Sequence, residues 1–145
     1  TTFLQPSGLR CRLLIVVGLG EAAKSDAGLL YRAAAAAVKT AASTRNRHSI
    51  AFVGFNTASA DALHSLRSAV AGSLTGAYGQ DLFKAETSLH PPQKIYWHQV
   101  DERTLHEAEA LGSGINLIKR LVNLPPNYLY PETFVDEAHA ALDNL

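Results

Sequence analysis

With 145 residues, the chain is long enough to bury the core of one domain, and its 47% hydrophobic and 18% charged content is typical of a soluble globular protein. Its 13 basic and 13 acidic residues balance, which argues against a general polyanion partner, since nucleic-acid-binding proteins usually carry a basic excess. No apolar run approaches the ~20 residues of a membrane-spanning helix, so we expect no membrane partner.

The first predicted elements are a strand and a helix. Arg12–Val17 is a short apolar run rich in Ile and Val, which favours a strand buried on both faces. Cys11, the only cysteine, lies beside this strand and is expected to be a small buried residue. Asp26, or the serine before it, caps a helix over Asp26–Ala42. The small alanine face of that helix, Ala33–Ala37, is expected to lie close on a sheet.

Two further strands and a helix follow. Ser49–Phe55 is predicted to be a second buried strand, and Lys94–Val100 a third strand with alternating side chains. Between them, Ser59 or Asp61 caps a helix that frays around Gly76–Gly79. The apolar side of this helix is formed by Ala62, Leu63, Leu66, Ala69, Val70 and Leu74.

A long helix is predicted from near Asp101 to about Leu121, with Gly112 and Gly114 as its weakest point. Apolar residues recur on one face of it at helical spacing: Leu105, Ala108, Leu111, Ile115, Ile118, Leu121 and Val122. Strands that alternate with helices in this order predict an α/β fold, with a largely parallel sheet and helices on both faces.

The long helix ends in a proline-rich segment. Pro125 and Pro126 stop it, because neither has an N–H to donate and each ring clashes with the preceding turn. Leu124 is pushed towards extended geometry by the proline after it. Pro131 suits the first turn of a new helix, where its missing N–H costs nothing. The predicted order is therefore a long helix, a stiff extended hinge and a second helix.

The sequences of two segments resemble motifs of the leucyl (cytosol) aminopeptidase family. Leu121-Val-Asn-Leu-Pro-Pro-Asn, followed by Pro131-Glu, is similar to the family's junction between a small N-terminal domain and the catalytic domain. Leu14–Gly20 is similar to the family's Val-Gly-Leu-Gly strand and turn. The resemblance implies a macro-domain-like, three-layer α/β/α sandwich with a mainly parallel sheet. It divides the chain into a non-catalytic domain (1–100), a linker helix with a Pro-Pro hinge (101–130) and the start of a catalytic domain (131–145).

The implied activity belongs to a longer parent protein, a cytoplasmic metalloaminopeptidase that removes N-terminal amino acids from peptides and forms a homohexamer. Two divalent metal ions, Mn or Zn, would act in the catalytic domain, which would also bind the peptide substrate. The family's Asn-Thr-Asp-Ala-Glu-Gly-Arg segment does not occur in this sequence, so no catalytic, cofactor-binding or metal-binding residue is assigned here. The opening at Thr1, without Met, and the stop at Leu145 near a helix predict a piece of that longer protein.

The resemblance implies a junction role for five residues of the proline-rich segment. We expect the proline pair to stiffen the hinge, and we expect the two asparagine side chains to hydrogen-bond the backbone groups of the hinge. Both effects would fix the orientation of this domain relative to the C-terminal catalytic domain of the same polypeptide. The five residues are Asn123, Pro125, Pro126, Asn127 and Pro131.

One alternative is a nucleotide-binding α/β module that uses Gly18–Ala23. This segment follows a strand and satisfies the G-x-G-x-x-G/A pattern. However, Asp26 is a better helix cap than the last small residue, and Glu21 would bring negative charge towards the phosphates. No acidic residue that could bind a ribose occurs in Ala41–Arg45. We therefore prefer the interpretation of the segment as a tight strand-to-helix turn.

A second alternative is a DNA-contacting accessory domain that uses the basic Arg45–His48 turn together with Lys39. Some bacterial relatives in the resembled family contact DNA through this domain. A cluster this small in a neutral chain is more often only solubilising. The six histidines show no metal-ligand spacing, and His106-Glu107-Ala lacks the second histidine of H-E-x-x-H. Glu107 and Glu109 lie two residues apart, on different faces of a helix, and are interpreted as solvated charges rather than an acid/base pair.

Overall fold

The computed structural model describes residues 2–21, 24, 26–45, 47–55, 62–79 and 84–142, with the side chains of 2–4 and 142 left out. The strands are β1 (Thr2–Leu4), β2 (Leu14–Val16), β3 (Ser49–Phe52) and β4 (Lys94–Trp97). The helices are α1 (Ala27–Ala42), α2 (Ala62–Thr75), α3 (Glu102–Asn123) and α4 (Pro131–Leu142). The predicted α/β class is confirmed. Of the predicted caps of α2, both Ser59 and Asp61 lie outside the described residues.

The described strands form two pairs. β3 and β4 are parallel, with Ser49 opposite Lys94 and Phe52 opposite Trp97, and α2 makes the crossover between them. β1 and β2 are antiparallel, a pairing that the sequence did not predict because three residues are too few to show a strand period. The parallel crossover is confirmed, whereas the three-layer, macro-domain-like arrangement remains a prediction.

Helix α1 forms the centre of the core. Asp26 caps it as predicted, since its carboxylate accepts from the Leu29 N–H at 2.6 Å. Half-buried side chains from the strands, among them Ile15, Ile50 and Ile95, pack against the core cluster to which α1 contributes most of the residues. The buried residues of α1 are Leu30, Ala33, Ala34, Ala37, Val38, Ala41 and Ala42.

Two glycines let α2 approach the backbone of α1. A Cβ atom at Gly72 would lie 2.2 Å from the carbonyl oxygen of Tyr31, and one at Gly76 would lie 2.3 Å from that of Ala35. The Tyr31 hydroxyl also hydrogen-bonds Thr75 Oγ1 at 2.7 Å. The alanine face of α1 was expected to lie on a sheet. In the structure, α1 makes its most extensive contacts with helix α2.

An aromatic stack links the parallel strands to α2. The rings of Phe52 and Trp97, which are register partners, stack 4.3 Å apart at 7°. Phe55 meets the Trp97 ring edge-on at 5.1 Å. The indole N–H donates to the hydroxyl of buried Ser73 at 3.3 Å, so the ring has a polar partner in α2.

The predicted burial of the first strands on both faces is wrong. Val16 in β2 is 47% exposed, and in β3 only Phe52 is buried, because among the described residues a full second layer does not cover these short strands. The alternation predicted for β4 is confirmed, with Ile95 half-buried and Tyr96 exposed. Cys11 is exposed, since it lies in the irregular segment before β2 rather than on the strand.

Helix α3 is continuous through both of its glycines, so the predicted weak point is absent. Gly112 is buried, and a Cβ atom there would lie 3.0 Å from Leu74 Cδ1, which shows that the glycine serves close packing on α2. Asp101 caps α3 by accepting from the Thr104 N–H at 2.9 Å. None of the described helices is long and apolar enough to cross a membrane.

Candidate functional site at the end of the long helix

The long helix ends where the sequence predicts a junction. Asn123 is its last residue, and its side-chain amide donates to the carbonyl of Lys119 at 2.6 Å, within the helix itself. Leu124 follows in extended geometry, with φ −68 and ψ 132, as its position before a proline predicted. Asn123 therefore closes the last turn of α3 rather than tying the hinge.

The segment after Leu124 is a turn rather than a stiff extended hinge. The carbonyl of Pro125 accepts from the N–H groups of Tyr128 at 2.9 Å and Leu129 at 3.0 Å. Pro126 and Asn127 lie inside this turn and are exposed. Within the described part of the chain, the Asn127 side chain makes no hydrogen bond. Proline favours such a turn because its fixed φ suits the second position of a tight turn.

Thr133 connects this turn to α4. Its hydroxyl accepts from the Tyr130 N–H at 3.0 Å and lies 2.9 Å from the carbonyl of Tyr128, to which it can donate. Pro131 is the first residue of α4, as predicted. Thr133 therefore occupies the third helical position, where a side chain reaches back to the capping residue in a capping box. The sequence pattern did not indicate this contact, because a capping box is recognised by Ser or Thr at the cap and Glu or Gln at the third position, whereas the cap here is Tyr130.

An ion pair joins α3 to α4. The Arg120 guanidinium donates to both carboxylate oxygens of Glu137, with 3.1 Å between Nη1 and Oε1. The two side chains are 36% and 30% exposed. The hydrogen bonds from Arg120 lower the pKa of Glu137 and raise that of the guanidinium. No sequence pattern predicted this pair, because its partners lie 17 residues apart on different helices.

Large apolar side chains remain exposed on both helices of the junction. On α3 they are Leu111, Ile118 and Val122, which we call the apolar strip. On the turn and α4 they are Tyr128, Tyr130, Phe134 and Val135, of which Phe134 and Val135 are each 50% exposed. Where exposed apolar side chains adjoin one another, they are candidates for an interaction surface.

The Gly18–Ala23 segment does not present a phosphate site in its described residues; Ala22 and Ala23 lie outside them. The N-terminal N–H of Leu29 is bound by the Asp26 carboxylate, which brings negative charge where a phosphate would need N–H groups. Glu21 forms an exposed ion pair with Lys24 at 2.8 Å. This geometry fits a strand-to-helix turn.

The Arg45–His48 turn is largely occupied by local contacts. Arg47 donates to the carbonyls of Thr40 at 3.4 Å and Ala41 at 3.2 Å, which caps the C-terminal end of α1. Arg45 donates from Nε to a ring nitrogen of His90 at 3.3 Å. These contacts give the basic residues a structural role, and they do not favour a DNA interface.

A polar cleft of about 510 Å³ lies between the N-terminal parts of α2 and α3. Arg67 and Arg103 both bind Glu107, at 2.8 and 2.9 Å, and their hydrogen bonds lower the pKa of that carboxyl. Asp101 supplies the second negative charge, so the two arginines are balanced and the cleft does not select an anion. Glu107 is therefore a partner in an ion-pair network between α2 and α3, which the sequence did not predict, while its side chain stays 39% exposed to solvent.

Among the described residues, no group of three His, Cys, Asp or Glu side chains comes together to hold a metal ion. A divalent metal in an enzyme needs several such ligands. The described donor set therefore does not fit a catalytic metal pair.

Comparison with known proteins identifies relatives that match most of the chain. The family model described as the cytosol aminopeptidase family, N-terminal domain, matches residues 1–87. A probable cytosol aminopeptidase of Rhodopirellula baltica is 33% identical over 128 residues, which cover 86% of this chain and 24% of the relative. Another, of Streptomyces coelicolor, is 32% identical and covers 94% of this chain and 30% of the relative. The chain thus spans between about a quarter and a third of the length of these relatives.

Two solved structures share the fold. The bottromycin maturation enzyme BotP in complex with Mn matches with a TM-score of 0.77 and 23% identity, covering 96% of this chain and 30% of that one. A second BotP structure matches with a TM-score of 0.75 and 24% identity. At this level of identity, the likeness establishes the α/β fold.

Proposed function

We infer the function of this chain from one premise: it belongs to the cytosol aminopeptidase family and carries the N-terminal domain of that family. We propose that it is the non-catalytic domain and linker of a cytoplasmic, metal-dependent leucyl aminopeptidase, which removes N-terminal amino acids from peptides. One observation carries this proposal. An N-terminal-domain model matches the chain, and the chain amounts to only 24% of the Rhodopirellula relative.

Peptide-bond hydrolysis would take place in the remaining part of the polypeptide, with two divalent metal ions, Mn or Zn, supplying the activated water. The described side chains of this chain do not fit such a pair, so no catalytic step is assigned to them. Mn is the ion named for the BotP complex, which makes Mn²⁺ the first ion to test.

The work proposed for this chain is structural. Residues 101–130 would link the domain to the catalytic domain, which would begin at 131, and the domain would help to build a homohexamer. The junction residues Asn123, Pro125, Pro126, Asn127 and Pro131 lie beyond the 1–87 match, at the end of α3, the turn and the start of α4. The Arg120–Glu137 pair and Thr133 support this role, because the pair ties the middle of α4 to α3 and Thr133 binds the start of α4 to the turn.

The proposal is tested by assaying hydrolysis of a leucine chromogenic amide with the purified 145-residue chain and with the full-length polypeptide, each with Mn²⁺ or Zn²⁺. We expect the full-length polypeptide to cleave the amide only when metal is present, and the 145-residue chain to cleave nothing. Metal-dependent cleavage by the chain alone, or an inactive full-length polypeptide with both ions, would contradict the proposal.

A further inference from the structure

We propose that the apolar strip of α3 is a docking surface that the remaining part of the same polypeptide covers. The inference rests on the proposed function, since it requires the chain to continue into a further domain. It goes beyond that function by naming the surface and by excluding a second copy of this chain as the occupant.

The strip lies along one helical face. Leu111, Ile118 and Val122 are separated by seven and four residues, which places them in one row on an α-helix. They adjoin the face that packs on α2, where Ala108 and Gly112 are buried. The strip is therefore a continuation of a packed helix face, not a scatter of single exposed residues.

Exposure of the strip increases where α2 stops supporting α3. Helix α2 ends at Thr75, whose carbonyl accepts from the ammonium group of Lys119 at 2.7 Å. The exposed fraction rises from 45% at Leu111 to 62% at Ile118 and 78% at Val122. The least covered side chain therefore lies beyond Lys119, which binds the last residue of α2, and covering that side chain would remove apolar surface from water.

Two observations favour the same polypeptide as the occupant. The apolar strip lies outside residues 1–87, which the N-terminal-domain model matches. The Streptomyces relative nevertheless aligns with 94% of this chain, and the alignment covers only 30% of that relative, so 70% of its length lies outside the alignment. A domain joined directly after α4 would also face the strip at high effective concentration, so a small apolar contact is enough to hold it.

A second copy of the chain fits the strip less well. A stable interface between separate proteins buries roughly 1,200–2,000 Å² in total. Three aliphatic side chains on one helix supply only a small part of that area, so an untethered copy would bind weakly. The dimensions of the strip therefore suit a tethered domain.

Thiol labelling tests this assignment. The exposed Cys11 is replaced first, by Cys11→Ser, and Val122→Cys is then compared with the matched control Glu109→Cys, on another face of α3, where the native side chain is 61% exposed. Both thiols should react rapidly in the 145-residue chain. In the full-length polypeptide, we expect labelling at position 122 to slow by roughly tenfold or more, because it requires local opening, while labelling at position 109 stays within about twofold.

Equal labelling rates at position 122 in the 145-residue chain and the full-length polypeptide would overturn the inference, and so would equal slowing at positions 122 and 109. Labelling at position 122 that slows as the concentration of the 145-residue chain rises would also overturn it, because the strip would then bind a second copy. The amide assay on the same full-length protein keeps the two proposals apart. Protection at position 122 in an inactive polypeptide would sustain the docking surface and refute the aminopeptidase function.

Discussion

Gly72 shows how one residue sets the distance between two helices. Its hydrogen side chain leaves room for the backbone of α1, since any Cβ atom there would lie 2.2 Å from the Tyr31 carbonyl oxygen. Contacts this short do not occur in folded proteins, so a larger residue must push the helices apart. Gly114 in α3 is different, because a Cβ atom there would meet no neighbouring atom within 4 Å.

We therefore predict opposite effects for two identical substitutions. Gly72→Ala should lower the free energy of unfolding by about 1–3 kcal/mol through overpacking. Gly114→Ala should raise it by roughly 0.5–1 kcal/mol, because alanine is the better helix former. Urea unfolding followed by fluorescence of Trp97, the single tryptophan, measures both. A Gly72→Ala protein as stable as Gly114→Ala would show that the helices do not approach as described.

At the scale of one element, the cap of α3 is a carboxylate. Asp101 accepts from the Thr104 hydroxyl at 2.7 Å and from its N–H at 2.9 Å, and these hydrogen bonds lower the pKa of Asp101 below its ordinary value. Because the folded pKa is lower than the unfolded one, the cap stabilises the fold above the unfolded pKa. That stabilisation is lost as pH falls through the folded pKa.

The matched variant is Asp101→Asn, because asparagine caps a helix about as well as aspartate but does not titrate. We expect the stability difference between the native chain and the variant to shrink as pH falls from about 6 to about 3. The other carboxyl groups titrate in both proteins, so their effects cancel. Urea midpoints across this range measure the difference, and a constant difference would exclude a titrating cap.

Helix α4 is an element held mainly by specific polar contacts. None of its described side chains is buried, and the Arg120–Glu137 pair ties it to α3. The pKa of Glu137 is lowered by the hydrogen bonds from Arg120, so the pair contributes at neutral pH and weakens as pH falls through the lowered value.

We predict that Glu137→Gln speeds amide hydrogen exchange in α4 and leaves exchange in α1 and α2 unchanged. Asp136→Asn is the control, because it removes a neighbouring charge that has no ion-pair partner among the described residues. Hydrogen exchange followed by mass spectrometry resolves the three helices. Equal protection of α4 in both variants would mean that other contacts hold it in place.

At the scale of the whole molecule, the described residues of this chain form no metal site, and the proposed active site would lie in the remaining part of the polypeptide. If the metals bind only in the remaining part of the polypeptide, Mn²⁺ or Zn²⁺ should leave the stability of the 145-residue chain unchanged. A bound metal would raise it, by about 4 kcal/mol at a thousandfold excess over its dissociation constant. Thermal unfolding with and without metal measures this, with a chelator as the control. A rise in melting temperature would place a metal site in this chain.

Local sequence patterns determined much of this protein. The cap at Asp26, the start of α3 near Asp101 and the start of α4 at Pro131 were predicted, because each depends on residues within a few positions of one another. The parallel crossover between β3 and β4 was predicted from the order of strands and helices along the chain. The family was also recognisable from the sequence, because the junction between the domains carries a short linear motif.

Only the tertiary structure decided the burial of the strands, the use of Gly72 and Gly112 for close packing, and the Arg120–Glu137 pair. It also showed a compact turn where the prolines predicted an extended hinge. These features depend on groups far apart in the chain or on competition between turn and extended geometry. Local preferences do not specify such contacts, because their energies exist only once the helices and strands have packed.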